Sequence, residues 1–163
     1  MPEKIRIYTD GSYCIKKDSG GIGICIENSQ KEFFCLYGGK IKTSSQEMEL
    51  KAIDISLKWL LMNKMNTDIN LFNIDYKPVI EGLIKRKTFL FKNDQKLWFD
   101  ILLITEKFPR MTPRWLKGHS GITGNEIADK LAEKGRIIAE SSLNEELFIF
   151  KTEAKIILED LSG

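Results

Sequence analysis

The sequence predicts a mixed α/β fold in which one five-stranded sheet is flanked by helices. Alternating apolar residues indicate strands near 5–10, 20–26, 32–37, 70–75 and 112–117. The first three strands follow one another closely, as antiparallel strands do, whereas long helical patterns separate the later ones, as in parallel sheets. We therefore expect three antiparallel strands followed by parallel ones.

The chain length and composition are those of a single globular domain. The 163 residues are 42% hydrophobic and 29% charged, which suits one domain with a sizeable core. We place that domain at residues 1–140 and expect residues 141–163 to form a helical extension packed on it. The net charge is only +2, so any basic surface for nucleic acid must be local.

Several absences point to a cytoplasmic protein. No apolar run is long enough to span a bilayer, and the amino terminus lacks the pattern of a signal peptide. Cys14, Cys25 and Cys35 are odd in number and lack metal-binding spacing, so we interpret them as free thiols. We expect a cytoplasmic monomer with no membrane partner.

Two predicted strands end in an acidic residue. Asp10 closes the first strand before a Gly-Ser turn, and Asp75 closes the strand that begins at Asn70. An aspartate often does no more than start a turn. Because functional sites of α/β sheets form where strand ends and helix starts converge, the two carboxylates are also candidates for one shared site.

Two further acids lie at the edges of apolar helix faces. Glu49 lies beside the apolar stripe of a helix that begins near Ser44 or Ser45, and Asp129 lies between core positions of a later helix. Such an acid is commonly a solvated flank residue. The alternative is that both acids reach the rim where Asp10 and Asp75 end.

Four clustered carboxylates predict a metal centre. Like charges that lie close together cannot all stay ionised unless cations bind, and hard divalent ions prefer oxygen ligands. Two such ions ~4 Å apart can activate water and stabilise a leaving oxygen in phosphoryl transfer. We therefore expect two Mg²⁺ ions, with Mn²⁺ able to replace them, held by Asp10, Glu49, Asp75 and Asp129.

The same residues lie in segments that resemble the successive motifs of type 1 ribonuclease H. The resemblance extends from about Ile5 to Gly135 and is strongest in the long segment around Gly118. The matching segments are Tyr8–Ser12, Gln46–Leu50, Ile74–Asp75 and Trp115–Ala132. The resemblance implies an RNase H-like fold and an endonuclease that cuts the RNA of RNA/DNA hybrids, leaving 5′-phosphate and 3′-hydroxyl ends.

By this resemblance the catalytic residues are the four acids and one histidine. Asp10 would bridge both metals, Asp129 would help hold the ion that activates water, and Glu49 with Asp75 would hold the other. His119, the only histidine, matches a mobile residue that assists proton movement and product release. Without its flanking match, His119 would be interpreted as a loop residue with no task.

The resemblance also assigns contacts to the hybrid. Lys42, Ser44 and Asn93 match a pocket for a DNA phosphate, with lysine and serine where arginine and threonine are common in the family. Ser45 and Gln46 match positions that touch bases in the minor groove. Simple capping of a helix is compatible with both roles.

The chain departs from the family at two places after Asp75, at Tyr76 and in the stretch from Ile84 to Asn93. Tyr76 replaces the usual serine, and the basic protrusion of many members is much shorter here. Lys85, Arg86 and Lys87, with Phe89 and Phe91 nearby, could replace part of that surface. They could equally be a solvated loop.

Three alternatives remain at this point. One is a polynucleotidyl transferase or DNA nuclease of the same superfamily, against which the long match to Gly118–Ala132 argues. Another is a catalytically weak hybrid-binding module, although such a module need not have kept all four acids. The third is an RNase H domain derived from the reverse transcriptase of a mobile element.

Overall fold

The computed structural model describes residues 2–118 and 121–162, and these residues form one sheet with helices on both faces. The elements in chain order are β1 (Lys4–Cys14), β2 (Ser19–Glu27), β3 (Phe33–Ile41), α1 (Ser45–Met62), β4 (Ile69–Ile74), α2 (Lys77–Lys85), a 3-10 turn (Lys92–Asp94), α3 (Gln95–Thr105), β5 (Met111–Trp115), α4 (Thr123–Ser142), β6 (Phe148–Thr152) and α5 (Ala154–Ser162). The six strands have the order β5-β4-β1-β2-β3-β6.

The pairing confirms the predicted mixed sheet and corrects its strand count. β1, β2 and β3 pair antiparallel, and β4 and β5 extend the sheet with parallel strands beside β1. The sequence predicted five strands, whereas β6 adds a sixth, antiparallel to β3, within the extension where a helix was expected. β6 is short and largely exposed, so no buried face marks it in the sequence. It covers the backbone edge that β3 would otherwise leave unpaired.

The sheet separates two apolar clusters. Ile5 and Ile7 of β1 are fully buried against α1 and α3, while Tyr8 of the same strand packs on α4 beside Ile127 and Leu131. This alternation follows the period of two that defines a strand. Burying one such isoleucine stabilises the fold by about 1.5–3 kcal/mol. In the described part of the chain, no helix is long and apolar enough to cross a membrane.

Glycines in β2 let α4 lie directly on the sheet. A Cβ on Gly21 would lie 1.9 Å from the Ala132 carbonyl oxygen, and one on Gly23 would lie 1.9 Å from that of Ala128. Any larger residue would push the helix away. This close approach fixes the position of Asp129, the residue that follows Ala128.

Candidate active site

Asp10 and Asp75 are brought together by the register of two parallel strands. In the ladder between β1 and β4, Thr9 pairs with Ile74. Asp10 directly follows Thr9, and Asp75 directly follows Ile74. The backbones of the two acids therefore lie side by side at the same edge of the sheet. The two acids converge as predicted, but Asp10 does not end its strand. β1 continues through the predicted Gly-Ser turn to Cys14, because the residues after Asp10 stay paired with β2.

Glu49 reaches this edge because the backbones of β1 and α1 are in direct contact at Gly11. α1 begins directly after its N-cap Ser44, whose hydroxyl accepts a hydrogen bond from the Glu47 N–H at 3.0 Å. A Cβ on Gly11 would lie only 2.7 Å from the backbone nitrogen of Glu49, so this contact requires glycine. The Gly11 N–H donates to the Glu49 carboxylate. Glu49 is only 7% exposed and is therefore not a solvated flank residue.

The carboxylates form one compact group. Asp10, Glu49 and Asp75 each offer an oxygen, and these three atoms all lie within 4.8 Å of one another. Asp129 approaches from α4 and shares a side-chain hydrogen bond with Asp10. All four acids singled out from the sequence therefore meet at one edge of the sheet.

Burial and mutual repulsion disturb the titration of this group. Burial, followed by the charges of Glu49 and Asp75, raises the pKa of Asp10 to about 9. Burial and the charge of Asp75 raise the pKa of Glu49 to about 8, although the Gly11 N–H opposes this shift. The Oε2 atom of Glu49 is buried and has no hydrogen-bond partner. A cation would supply both the missing partner and the missing positive charge.

The donor set fits a hard divalent ion. Its ligands are carboxylate oxygens, which Mg²⁺ and Ca²⁺ prefer, whereas zinc and copper sites usually include sulfur or imidazole. The oxygen separations permit a shared ion. These four residues could therefore hold divalent cations.

The end of β5 and the residues that follow it lie against the same group. The indole N–H of Trp115 donates to the Asp75 carbonyl oxygen at 3.2 Å. A Cβ on Gly118 would lie 3.2 Å from Oδ2 of Asp75. His119 itself lies outside the described residues, so its predicted role stays a prediction.

The predicted minor-groove residues lie at the start of α1. Ser45 is exposed at the first position of this helix. Gln46 is engaged within the protein, because its side-chain amide donates to Oδ2 of Asp94 at 2.7 Å. Asn93 is exposed on the 3-10 turn that also carries Asp94, so the predicted contacts from the two segments share one surface.

Lys42 is paired with an acid from the C-terminal extension. Its ammonium forms an ion pair with the Glu145 carboxylate, which raises the pKa of Lys42. Lys42 has a left-handed backbone with φ of 57°, and its N–H donates to the Asp18 carbonyl oxygen at 2.8 Å. The position of this lysine at the end of β3 is thus fixed by its backbone.

The basic cluster Lys85–Lys87 does not present three free cations. Lys85 and Lys87 both pair with the Glu81 carboxylate, at 3.0 and 2.9 Å. Arg86 points the other way, and its guanidinium donates to the Thr105 hydroxyl at 2.6 Å and the Leu102 carbonyl oxygen at 2.9 Å. Arg86 therefore joins the end of α2 to the end of α3.

Some residues that shape the site were not predicted from the sequence. Gly11 was predicted to begin a turn, whereas it lies within β1, paired with Ile22 of β2. Trp115 belongs to the matching segment around Gly118, but its hydrogen bond to Asp75 depends on the ladder between β4 and β5. Glu145 and Asp94 carry no local signal, since each meets its partner only in the folded chain.

Comparison with known proteins agrees with this geometry. A family model described as RNase H matches residues 2–137. Ribonuclease H of Orientia tsutsugamushi is 32% identical over 89% of this chain and 92% of its own, and ribonuclease HI of Haemophilus influenzae is 33% identical over 83% and 91%. A structure of LC11-RNase H1 in complex with an RNA/DNA hybrid shares the fold, with a TM-score of 0.71 and 19% identity over 83% of this chain and 98% of that one. The chain therefore belongs to the ribonuclease H family, the family that its sequence motifs indicated.

Proposed function

We propose that this protein is an endoribonuclease that hydrolyses the RNA strand of RNA/DNA hybrids with the help of two divalent ions. It leaves 5′-phosphate and 3′-hydroxyl ends. The observation that carries the proposal is that one carboxylate oxygen from each of Asp10, Glu49 and Asp75 lies within 4.8 Å of the other two. The relatives named ribonuclease H and the hybrid bound to LC11-RNase H1 support the choice of substrate.

The four acids are the residues that would hold the metal ions, and Asp10 would contribute to both. When bound, divalent ions lower the pKa of water and stabilise negative charge on phosphate oxygens. Without metal, burial raises the pKa of both Asp10 and Glu49, which favours the protonated form of each, and bound cations would favour the ionised form. Mg²⁺ is the expected ion because it favours carboxylates together with substrate phosphates, and Mn²⁺ is expected to replace it.

We assign His119 an auxiliary role in proton movement and product release. An imidazole has an unperturbed pKa of about 6.5 and exchanges protons near neutral pH. Its neighbour Gly118 is close to Oδ2 of Asp75, which supports a position for the loop at the edge of the acid group.

The proposed hybrid surface extends from α1 to the segment after α2. Lys42, Ser44 and Asn93 would hold a DNA phosphate, while Ser45 and Gln46 would face the minor groove. Lys85 and Lys87 remain candidates for weaker backbone contacts, whereas Arg86 is engaged by α3. We propose that the protein acts as a cytoplasmic monomer.

The substrate claim is tested with three duplexes of the same sequence. Purified protein is incubated in Mg²⁺ with matched RNA/DNA, RNA/RNA and DNA/DNA duplexes that carry a label on either strand. The expected result is internal cleavage of the RNA strand of the hybrid only, with 5′-phosphate ends. Cleavage of the DNA strand, or equal cleavage of all three duplexes, would contradict the proposal.

A further inference from the structure

The C-terminal extension reaches the proposed phosphate site. β6 runs along β3, with Cys35–Gly39 paired to Phe148–Thr152. Nearer the start of the extension, the Ile41 N–H donates to the Asn144 carbonyl oxygen at 2.7 Å. These contacts hold the segment just before β6 against the end of β3, where Lys42 begins the connection to α1.

Glu145 is the side chain that this arrangement delivers to Lys42. The two groups form an ion pair, and the hydrogen bond from Lys42, followed by the charges of Lys42 and Lys40, lowers the pKa of Glu145. A carboxylate presents two oxygens that share a negative charge, as do the non-bridging oxygens of a phosphodiester. Glu145 thus occupies the ammonium group that a DNA phosphate would need.

We propose, on the basis of the proposed function, that Glu145 sets the affinity for the hybrid by competing with a DNA-strand phosphate for Lys42. Binding of the duplex would displace the carboxylate into solvent. The contact suits such an exchange, because the side chains of Lys42 and Glu145 are 69% and 57% exposed. Exposed ion pairs are weak, and losing one corresponds to an affinity change of about two- to fivefold.

The test compares two neighbouring acids. Glu145→Gln removes the competing charge, while Glu146→Gln changes the net charge equally at an adjacent exposed residue. We expect Glu145→Gln to lower KM for the hybrid about two- to fivefold without a change in kcat, and Glu146→Gln to have a smaller effect. The freed Lys42 should also steepen the dependence of log Kd on log salt by up to about 0.9.

A second background isolates the pair. In Lys42→Gln protein the carboxylate has no ammonium to occupy, so adding Glu145→Gln should leave KM unchanged. The proposal would be overturned if Glu145→Gln and Glu146→Gln changed KM equally. It would also be overturned if Glu145→Gln lowered KM as much in the Lys42→Gln background as in the wild type. Thermal melting of all variants checks that the fold is kept.

The outcome separates this inference from the proposed function. If the wild-type protein does not cleave the hybrid, the proposed activity is wrong. The wild type and the same four variants are then compared by fluorescence anisotropy on labelled hybrid, where Glu145→Gln should still tighten binding through Lys42. If the wild type cleaves the hybrid but Glu145→Gln and Glu146→Gln have the same KM, the proposed competition is wrong and the proposed activity is not affected.

Discussion

The carboxyl groups of Asp10, within β1, and Asp129, on α4, share a hydrogen bond. Two carboxyl groups can share a hydrogen bond only when one of them carries a proton. Burial and the charges of Glu49 and Asp75 raise the pKa of Asp10 to about 9, which favours the protonated form of its carboxyl group. Without metal, the raised pKa values favour protonated carboxyl groups, and binding of cations would favour their ionisation.

The first prediction concerns the pH dependence of stability without metal. The folded-state pKa values of Asp10 and Glu49, about 9 and about 8, lie above those of the unfolded chain. The folded state therefore binds more protons between about pH 4 and these values, and this contribution to stability is lost as the pH rises. Asp10→Asn cannot ionise and should gain stability relative to the wild type on going from pH 5 to pH 8, by an amount on the order of 1 kcal/mol or more.

Urea unfolding in EDTA at the two pH values measures this difference. Glu133→Gln, an exposed position on α4, is the matched control and should show no comparable gain. If Asp10→Asn lost stability at both pH values, Asp10 would be a structural residue. Saturating Mg²⁺ should stabilise the wild type at pH 8 and have little effect on Asp10→Asn.

The second prediction separates Arg86 from its neighbours in the basic cluster. Arg86→Met removes two hydrogen bonds to α3, and we expect the free energy of unfolding to fall by about 1–2 kcal/mol. Lys85→Met removes an exposed ion pair with Glu81 and should change it by less than about 1 kcal/mol. Urea unfolding measures both variants. An Arg86→Met protein as stable as the wild type would show that the contacts with α3 do not support the fold.

The acid group was predictable because its members are marked by local patterns. Asp10 follows the apolar first half of β1 and Asp75 follows β4, and the parallel pairing of these two strands places the acids together. Glu49 is marked by its place beside the apolar stripe of α1. What the sequence does not contain is the backbone contact at Gly11, which requires the packing of α1 on β1.

The contacts of the proposed hybrid surface were less predictable, because the residues that meet there come from distant segments. Lys42 and Glu145 are separated by about a hundred residues and meet only after β6 joins the sheet. Lys85, Arg86 and Lys87 look like one cluster in the sequence. The left-handed backbone of Arg86, with φ of 52°, ends α2 and directs its side chain to α3 instead. The periodicity of the local sequence does not predict this left-handed conformation.

The third prediction concerns His119. Loss of a general acid–base group typically slows a reaction by about 10²- to 10⁴-fold, while water activated by cations remains available. His119→Ala should therefore retain measurable cleavage and lose part of its dependence on pH near neutrality. Single-turnover rates across pH measure both effects. If His119→Ala still bound the hybrid but were as inactive as Asp10→Asn, the histidine would be indispensable to the chemical step.

The most direct test of the metal-dependent mechanism is single-turnover cleavage of one RNA/DNA hybrid by the wild type and by Asp10→Asn, Glu49→Gln and Asp75→Asn. All four proteins are assayed at saturating concentration in Mg²⁺, and the wild type is assayed again in excess EDTA. The acid group predicts rapid cleavage by the wild type in Mg²⁺, none in EDTA, and near-complete loss in each folded variant. Cleavage that persisted in EDTA, or in folded Asp10→Asn at the wild-type rate, would contradict it.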